Sequence, residues 1–148
     1  MNRRISVRAI ILHEGRLLAV RHKQSNKLIQ SMNNYWAIPG GGLDENESII
    51  DCLVRESIEE TGIKPKIGSL MYIQQFKFKD KEYLEFFFNV TNSQDYLKLD
   101  LSNTTHGLTE IEEITFIDPK TSKLLPLFLS EENLEEQVNK PTKNFSYL

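Results

Sequence analysis

Residues 36–63 read WAIPGGGLDENESIIDCLVRESIEETGI, and this stretch decides the fold. Its opening, Tyr35 to Ile38 with the preceding tyrosine, predicts a short buried strand stopped by Pro39 and the run Gly40-Gly41-Gly42. From Glu47 the period changes. Ile50, Leu53, Val54, Ile58 and Thr61 recur at helical spacing, Gly62 supplies the stop and Pro65 marks the exit. The spacing predicts a helix over Glu47 to Thr61 whose apolar side, carrying those five residues, docks on a sheet. At about 100° per residue, Glu56, Glu59 and Glu60 share a different face of that helix.

Outward from the helix the chain reads mostly as strands. Ile5 to His13 and Leu17 to Val20 are apolar runs joined at Glu14-Gly15, a hairpin signal. Lys23 to Asn34 is a polar loop. Leu70 to Phe78 and Tyr83 to Thr91 predict a second hairpin through Lys79-Asp80-Lys81. Asn92 to Gly107 is polar, with a short strand expected at Tyr96 to Leu101. Ile114 to Ile117 predicts a late strand, and Asp118-Pro119 opens a helical stretch toward Leu129 that breaks near Pro126. From about residue 131 the tail reads as a short helix and a flexible, frayed end. One strong helix among several strands predicts an α/β (α+β) sandwich, a mixed sheet covered by helices. A single domain spanning 1–148 is expected.

Composition narrows the function classes. The chain has 148 residues, 39% hydrophobic and 26% charged, ordinary for a soluble domain. Its net charge of −3 gives no basic field for long nucleic acid or a membrane surface. Arg3, Arg4 and Arg8 read as a solvated strand face. Cys52 is the single cysteine, so no intrachain disulfide forms and a cytoplasmic location is expected. No segment approaches the roughly 20 apolar residues of a membrane span, and charged residues interrupt every N-terminal apolar run.

Three glutamates on one helical face repel one another, and a hard divalent cation would relieve that repulsion. Taken alone they read as a solvated acidic face. Their setting changes the reading. Five residues separate Gly41 from Glu47, seven more lead to Arg55-Glu56, and Glu59-Glu60 and Gly62-Ile63 follow at fixed intervals. This resembles the Nudix box, with all seven of its fixed letters in place. By residue frequency such a match arises by chance on the order of once in 10⁸ starting points. Trp36 to Gly41 is similar to the strand and turn that precede the box, and Glu110 to Pro126 resembles, less specifically, the closing segment. The likeness reaches Leu129. Ser57 departs from it, standing on the sheet-facing side where an apolar residue is usual; its small hydroxyl can bond back to a carbonyl one turn earlier at little cost, so some loss of packing and no loss of function is expected. Asn46 stands where many members have Gly, and Asn tolerates left-handed geometry.

The resemblance implies a mixed sheet between helices and hydrolysis of a pyrophosphate linkage in a nucleoside diphosphate derivative. Candidate substrates are a nucleotide sugar such as ADP-ribose, a nucleoside triphosphate or a dinucleoside polyphosphate. It implies Mg²⁺, with Mn²⁺ as a substitute, held by Glu56, Glu59, Glu60 and a main-chain oxygen at Gly40 or Gly41, and Glu59 or Glu60 acting as base toward water. Arg55 would orient and partly neutralise the carboxylates, and Glu47 would serve the first helical turn. Gly41 and Gly42, with Arg21 and Lys23, are the candidates for substrate contact. A distal acid is expected from Glu110, Glu112 or Glu113. Cys52 reads as a packed small residue, and Trp36 as core or as a base-stacking surface. A member that senses a nucleotide without turning it over is the alternative, and a homodimer is common in the family.

Overall fold

The computed structural model describes residues 2–22, 35–100, 104 and 111–148. Among them the elements are β1 (Asn2–Ile10), β2 (Leu12–His13), β3 (Arg16–His22), β4 (Gly40–Gly42), α1 (Ile49–Thr61), β5 (Ile67–Phe78), β6 (Lys81–Val90), β7 (Ile111–Ile117), α2 (Phe128–Glu131), α3 (Leu134–Gln137) and β8 (Lys143–Tyr147). The main sheet has the order β4-β1-β6-β5-β8, and a smaller sheet has the order β2-β3-β7. In the main sheet β1 runs parallel to β6 and β5 parallel to β8, while β4 and the β5–β6 hairpin are antiparallel. The sheet is mixed, as expected.

Successive strand residues point to opposite faces, and β1 shows what this achieves. Val7 and Ala9 join Cys52 and Leu53 of α1 in one buried cluster. Ile10 joins Tyr72, Phe87, Phe128, Leu129 and Leu134 in another. The sheets therefore lie between α1 on one side and the short helices α2 and α3 on the other. No helix among the described residues is long and apolar enough to cross a membrane.

Several sequence expectations are corrected. The glycine run, read as a strand stop, is itself strand β4, and Trp36 and Ala37 make only single bridges to Leu124 and Val20. Helix α1 begins at Ile49, where Ser48 caps it by accepting the Asp51 N–H at 3.0 Å, so Glu47 lies before the helix. Gly62 ends it with a left-handed φ of 74°. The docked face also differs. Ile50 and Ile58 are 44% and 41% exposed, while Cys52, Leu53, Ser57, Glu60 and Thr61 are buried. On the helical wheel the buried stripe is turned by roughly 90° from the apolar one, toward the carboxylates. Small residues at Cys52 and Ser57 let the helix come close to β1 and β4 on that side.

Tyr96 closes a 3-10 turn, Ser93–Tyr96, in place of the expected strand, and its ring is buried in the α1-side cluster. The helical stretch expected up to Leu129 shrinks to α2, since proline at 126 offers no amide to an earlier turn. The short helix expected in the tail is α3, while the end expected to fray instead forms β8. Apolar packing holds it: the Phe145 ring stacks on Phe128 at 4.6 Å, and Gln137 Nε2 donates to Pro141 O at 2.7 Å. The Lys23–Asn34 loop lies outside the described residues.

Candidate functional site

The site grows from β4. Register with β1 pairs Gly40 with Arg8, Gly41 with Val7 and Gly42 with Ser6, so Gly41 faces α1 while its two neighbours face the other way. A Cβ on Gly41 would overlap the Glu56 carboxylate. A Cβ on Gly40, whose φ is 142°, would strike Val7 O. Here glycine is required by close approach as well as by backbone conformation. The Gly40 N–H donates to Glu60 Oε1 at 2.9 Å, which gives the buried Glu60 side chain a main-chain partner.

Arg55 organises the carboxylates. It donates through Nε and Nη2 to Glu47 at 2.7 and 3.0 Å, through Nη1 to Glu56 at 3.0 Å and Glu59 at 3.4 Å, and through Nη2 to Gly42 O at 3.1 Å. The bidentate fork is spent on Glu47, and Glu56 and Glu59 share the remaining nitrogen. Glu47 in turn accepts the Asp44 N–H at 3.1 Å and so ties the loop to the helix. The Arg55 hydrogen bonds hold the Glu47 carboxyl down at about 2. Burial pushes the Glu56 carboxyl up despite the Arg55 contact. Burial likewise raises the Cys52 thiol to about 12, which makes it a packing residue and not a nucleophile.

Among the described residues, no three Asp, Glu, His or Cys side chains converge closely enough to hold a metal ion as they stand. What the box presents is carboxylate oxygen from Glu56, Glu59 and Glu60 beside the main chain of β4, a hard donor set of the kind Mg²⁺ and Mn²⁺ take with open positions left over. Glu56 and Glu60 are both turned toward the main chain of β4, and their oxygen-only chemistry is the kind a hard divalent cation takes.

Asn46 has a positive φ of 60°, as its place in the loop implied. Ser57 does not back-bond: its hydroxyl is buried without a partner, while Thr61 Oγ1 donates to the Ser57 carbonyl at 2.6 Å. Of the distal acids, Glu110 lies outside the described residues, as does Lys23. Glu113 pairs with Arg21 at 3.6 Å. The β3–β7 register slips from Arg21↔Glu113 to His22↔Ile111, leaving Glu112 at a bulge.

Arg21 lies away from the box, in the wall of a cavity of about 790 Å³ on the other face of the main sheet. Its guanidinium covers the Trp36 ring at 4.2 Å, so that tryptophan is half-buried and already faces a cation. Arg8, Gln74, Phe76, Glu85 and Tyr147 line the same cavity, and the sequence reading missed all five as site residues. One signal was available: Glu85 interrupts the apolar run from Tyr83 to Phe88. A second, polar cavity of about 620 Å³ adjoins Glu56 and Gly42 and is lined by Arg3, Arg4 and Lys81.

With this geometry in place, the likeness to known proteins is specific. A putative 8-oxo-dGTP diphosphatase of Bacillus subtilis is 38% identical over 105 residues, 70% of this chain and 61% of that protein. The low-salt glycan biosynthesis protein Agl8 of Haloferax volcanii is 30% identical over 118 residues, covering 74% and 70%. The chain spans less than two thirds of the Bacillus relative's length. The solution structure of the E. coli ORF135 protein matches with a TM-score of 0.71 at 20% identity over 95% of both chains, a likeness of fold. The sequence profile described as NUDIX domain matches residues 2–137. Since that match takes in β1 through α3 and the whole glutamate-bearing helix, the chain belongs to the Nudix family.

Proposed function

We propose that this chain is a metal-dependent hydrolase that cleaves the pyrophosphate linkage of a nucleoside diphosphate derivative by water attack at phosphorus. The observation that carries the reading is the seating of Glu56 and Glu60 against the side-chain-free strand β4, on the buried face of α1. Hydrolases of the family generally use divalent metal ions, and here Glu56, Glu59 and Glu60, with a Gly40 or Gly41 carbonyl, would hold Mg²⁺ or Mn²⁺. Such an ion neutralises phosphate charge and lowers the pKa of bound water.

The remaining work falls to the chain's own groups. Arg55 fixes the Glu56 and Glu59 carboxylates in place, and Glu47 fixes Arg55. Glu59 or Glu60 accepts the proton of the attacking water. Main-chain groups at Gly41 and Gly42 meet the phosphates, Arg21 binds the substrate from the cavity side, and Glu112 at its bulge is the distal acid we favour. The Arg3, Arg4 and Lys81 cavity beside Glu56 suits an anionic leaving group. The substrate is a small nucleotide, and the site of action is the cytoplasm.

The test is a panel of nucleotide sugars, nucleoside triphosphates and dinucleoside polyphosphates incubated with Mg²⁺, with products identified by mass. Release of a nucleoside monophosphate or of pyrophosphate is expected for at least one. Binding of several members without turnover of any would favour the sensor reading instead. A melting temperature that rises on adding Mg²⁺ is also expected, since an ion that binds only the folded state stabilises it.

A further inference from the structure

The floor of the larger cavity carries a group that the hydrolysis does not use. On the sheet face turned away from α1, Glu85 Oε1 accepts a hydrogen bond from Gln74 Nε2 at 3.0 Å, and Glu85 Oε2 faces Arg8 Nε at 3.5 Å. Glu85 is 9% exposed and Gln74 6%. An ionised carboxylate has about four acceptor positions, and a buried one is costly unless they are well filled. Among the described residues, Glu85 meets one neutral donor and one long ion pair. Around this floor stand Trp36, Phe76, Phe128 and Tyr147. Phe76 lies flat against Tyr83 at 4.9 Å and 7°. Flat apolar walls with a few convergent polar groups suit a planar heterocycle.

The cavity also abuts the box. Arg8 is in register with Gly40, its Cδ lies 3.0 Å from where a Gly40 Cβ would stand, and the Gly40 N–H donates to Glu60. In the main sheet only β1 lies between the strand of Glu85 and β4.

We infer that Glu85 reads the base of the nucleotide and selects the guanine type. A carboxylate pairs best with two adjacent N–H donors, and its neighbour Arg8 offers donors to an acceptor beside them. Guanine presents that edge, with N1–H and the 2-amino group side by side and O6 next to them. Adenine and cytosine place a ring nitrogen lone pair beside their amino group, which a carboxylate repels. Uracil and thymine offer one N–H flanked by two carbonyls. The bases are thus told apart by their hydrogen-bonding edges. This inference rests on the nucleotide-hydrolase reading and names its substrate class.

Trp36 is the chain's single tryptophan and lines the cavity, so its fluorescence reports binding there without metal or turnover. The full chain titrated with GMP, IMP and AMP is expected to bind GMP on the order of 10- to 100-fold more tightly than IMP, which lacks only the 2-amino donor, and than AMP. E85Q, which replaces an acceptor by a donor, is expected to erase the preference for GMP over IMP. Equal affinities for GMP and IMP in the unsubstituted chain would overturn the inference, and that comparison stands even if E85Q does not fold. Hydrolysis separates the two readings. Turnover of nucleotides without regard to base would sink the guanine selection and leave the hydrolase. GMP selectivity without turnover of any nucleotide would do the reverse.

Discussion

One face of β1 holds Val7 and Ala9 against α1, and the other presents Arg8 to the cavity with Glu85 and Gln74. The first face supports a site built from one continuous stretch, Gly40 to Glu60, whose parts are fixed by helical spacing and one short strand. The second floors a site gathered from β1, β3, β5, β6, α2 and β8, which only the fold brings together. The contrast separates two tasks. Chemistry common to a family needs rigid, local geometry, whereas choice among substrates is left to side chains that can change one at a time without disturbing the glutamates.

The largest effect should come from the local site. E59Q and E60Q are each expected to lower kcat by at least about three powers of ten, at about 1.4 kcal/mol of barrier per factor of ten, while circular dichroism stays native. Wild-type rates in both would break the assignment of chemistry to this face. Next, G41A should cost on the order of 100-fold in kcat, because its Cβ displaces the Glu56 carboxylate and small misplacements are expensive. G42A should cost less, since its Cβ would meet the flexible Arg4 guanidinium at 3.1 Å. Equal losses in the two would show that backbone freedom, and not the Glu56 contact, explains the glycines.

A smaller effect tests how the loop is tied to the helix. The Glu47 carboxyl is depressed to about 2 by Arg55, below the usual value near 4.3. A depressed acid adds stability that is complete above its unfolded value and lost as pH falls through the folded one. The chain should therefore melt higher than E47Q at pH 7, with the gap closing between about pH 4 and pH 2. A gap that does not change with pH would remove the Glu47–Arg55 pair from the account. Smallest of all, S57A should raise stability by about 1 kcal/mol, because it removes a buried hydroxyl that lacks a partner. Destabilisation in chemical denaturation would reveal a bond to Ser57 that the packing hides.

The sequence made the local face legible and the other nearly silent, for a physical reason. Gly41, Arg55, Glu56 and Glu60 owe their relative positions to a turn and a helix, so counting residues locates them. Arg8 and Glu85 meet through a parallel pairing of β1 with β6, and no spacing along the chain encodes that. Even on the local face, periodicity misplaced the docking. It followed Ile50 and Ile58, which stay exposed, whereas Cys52 and Ser57, legible as a packed and a sheet-facing residue, are the ones whose small size governs how near α1 comes to β4. Hydrophobicity marks where a helix can pack; side-chain volume decides where it does. The tail was misread for a related cause, since the value of Phe145 depends on Phe128 and Tyr72 being there to receive it.

Strand β4 has a consequence for how this protein tolerates change. Everything the strand offers to Glu60, Arg55 and Cys52 is an amide or a carbonyl, and no substitution except proline can delete those atoms. Beyond the backbone strain at Gly40, a mutation there acts by adding bulk. Loss of function along Gly40–Gly42 should thus track the size of the new side chain and be indifferent to its polarity, whereas on α1 it should track charge and be nearly indifferent to size. A saturation scan of the two segments would show two independent rules operating a few ångströms apart.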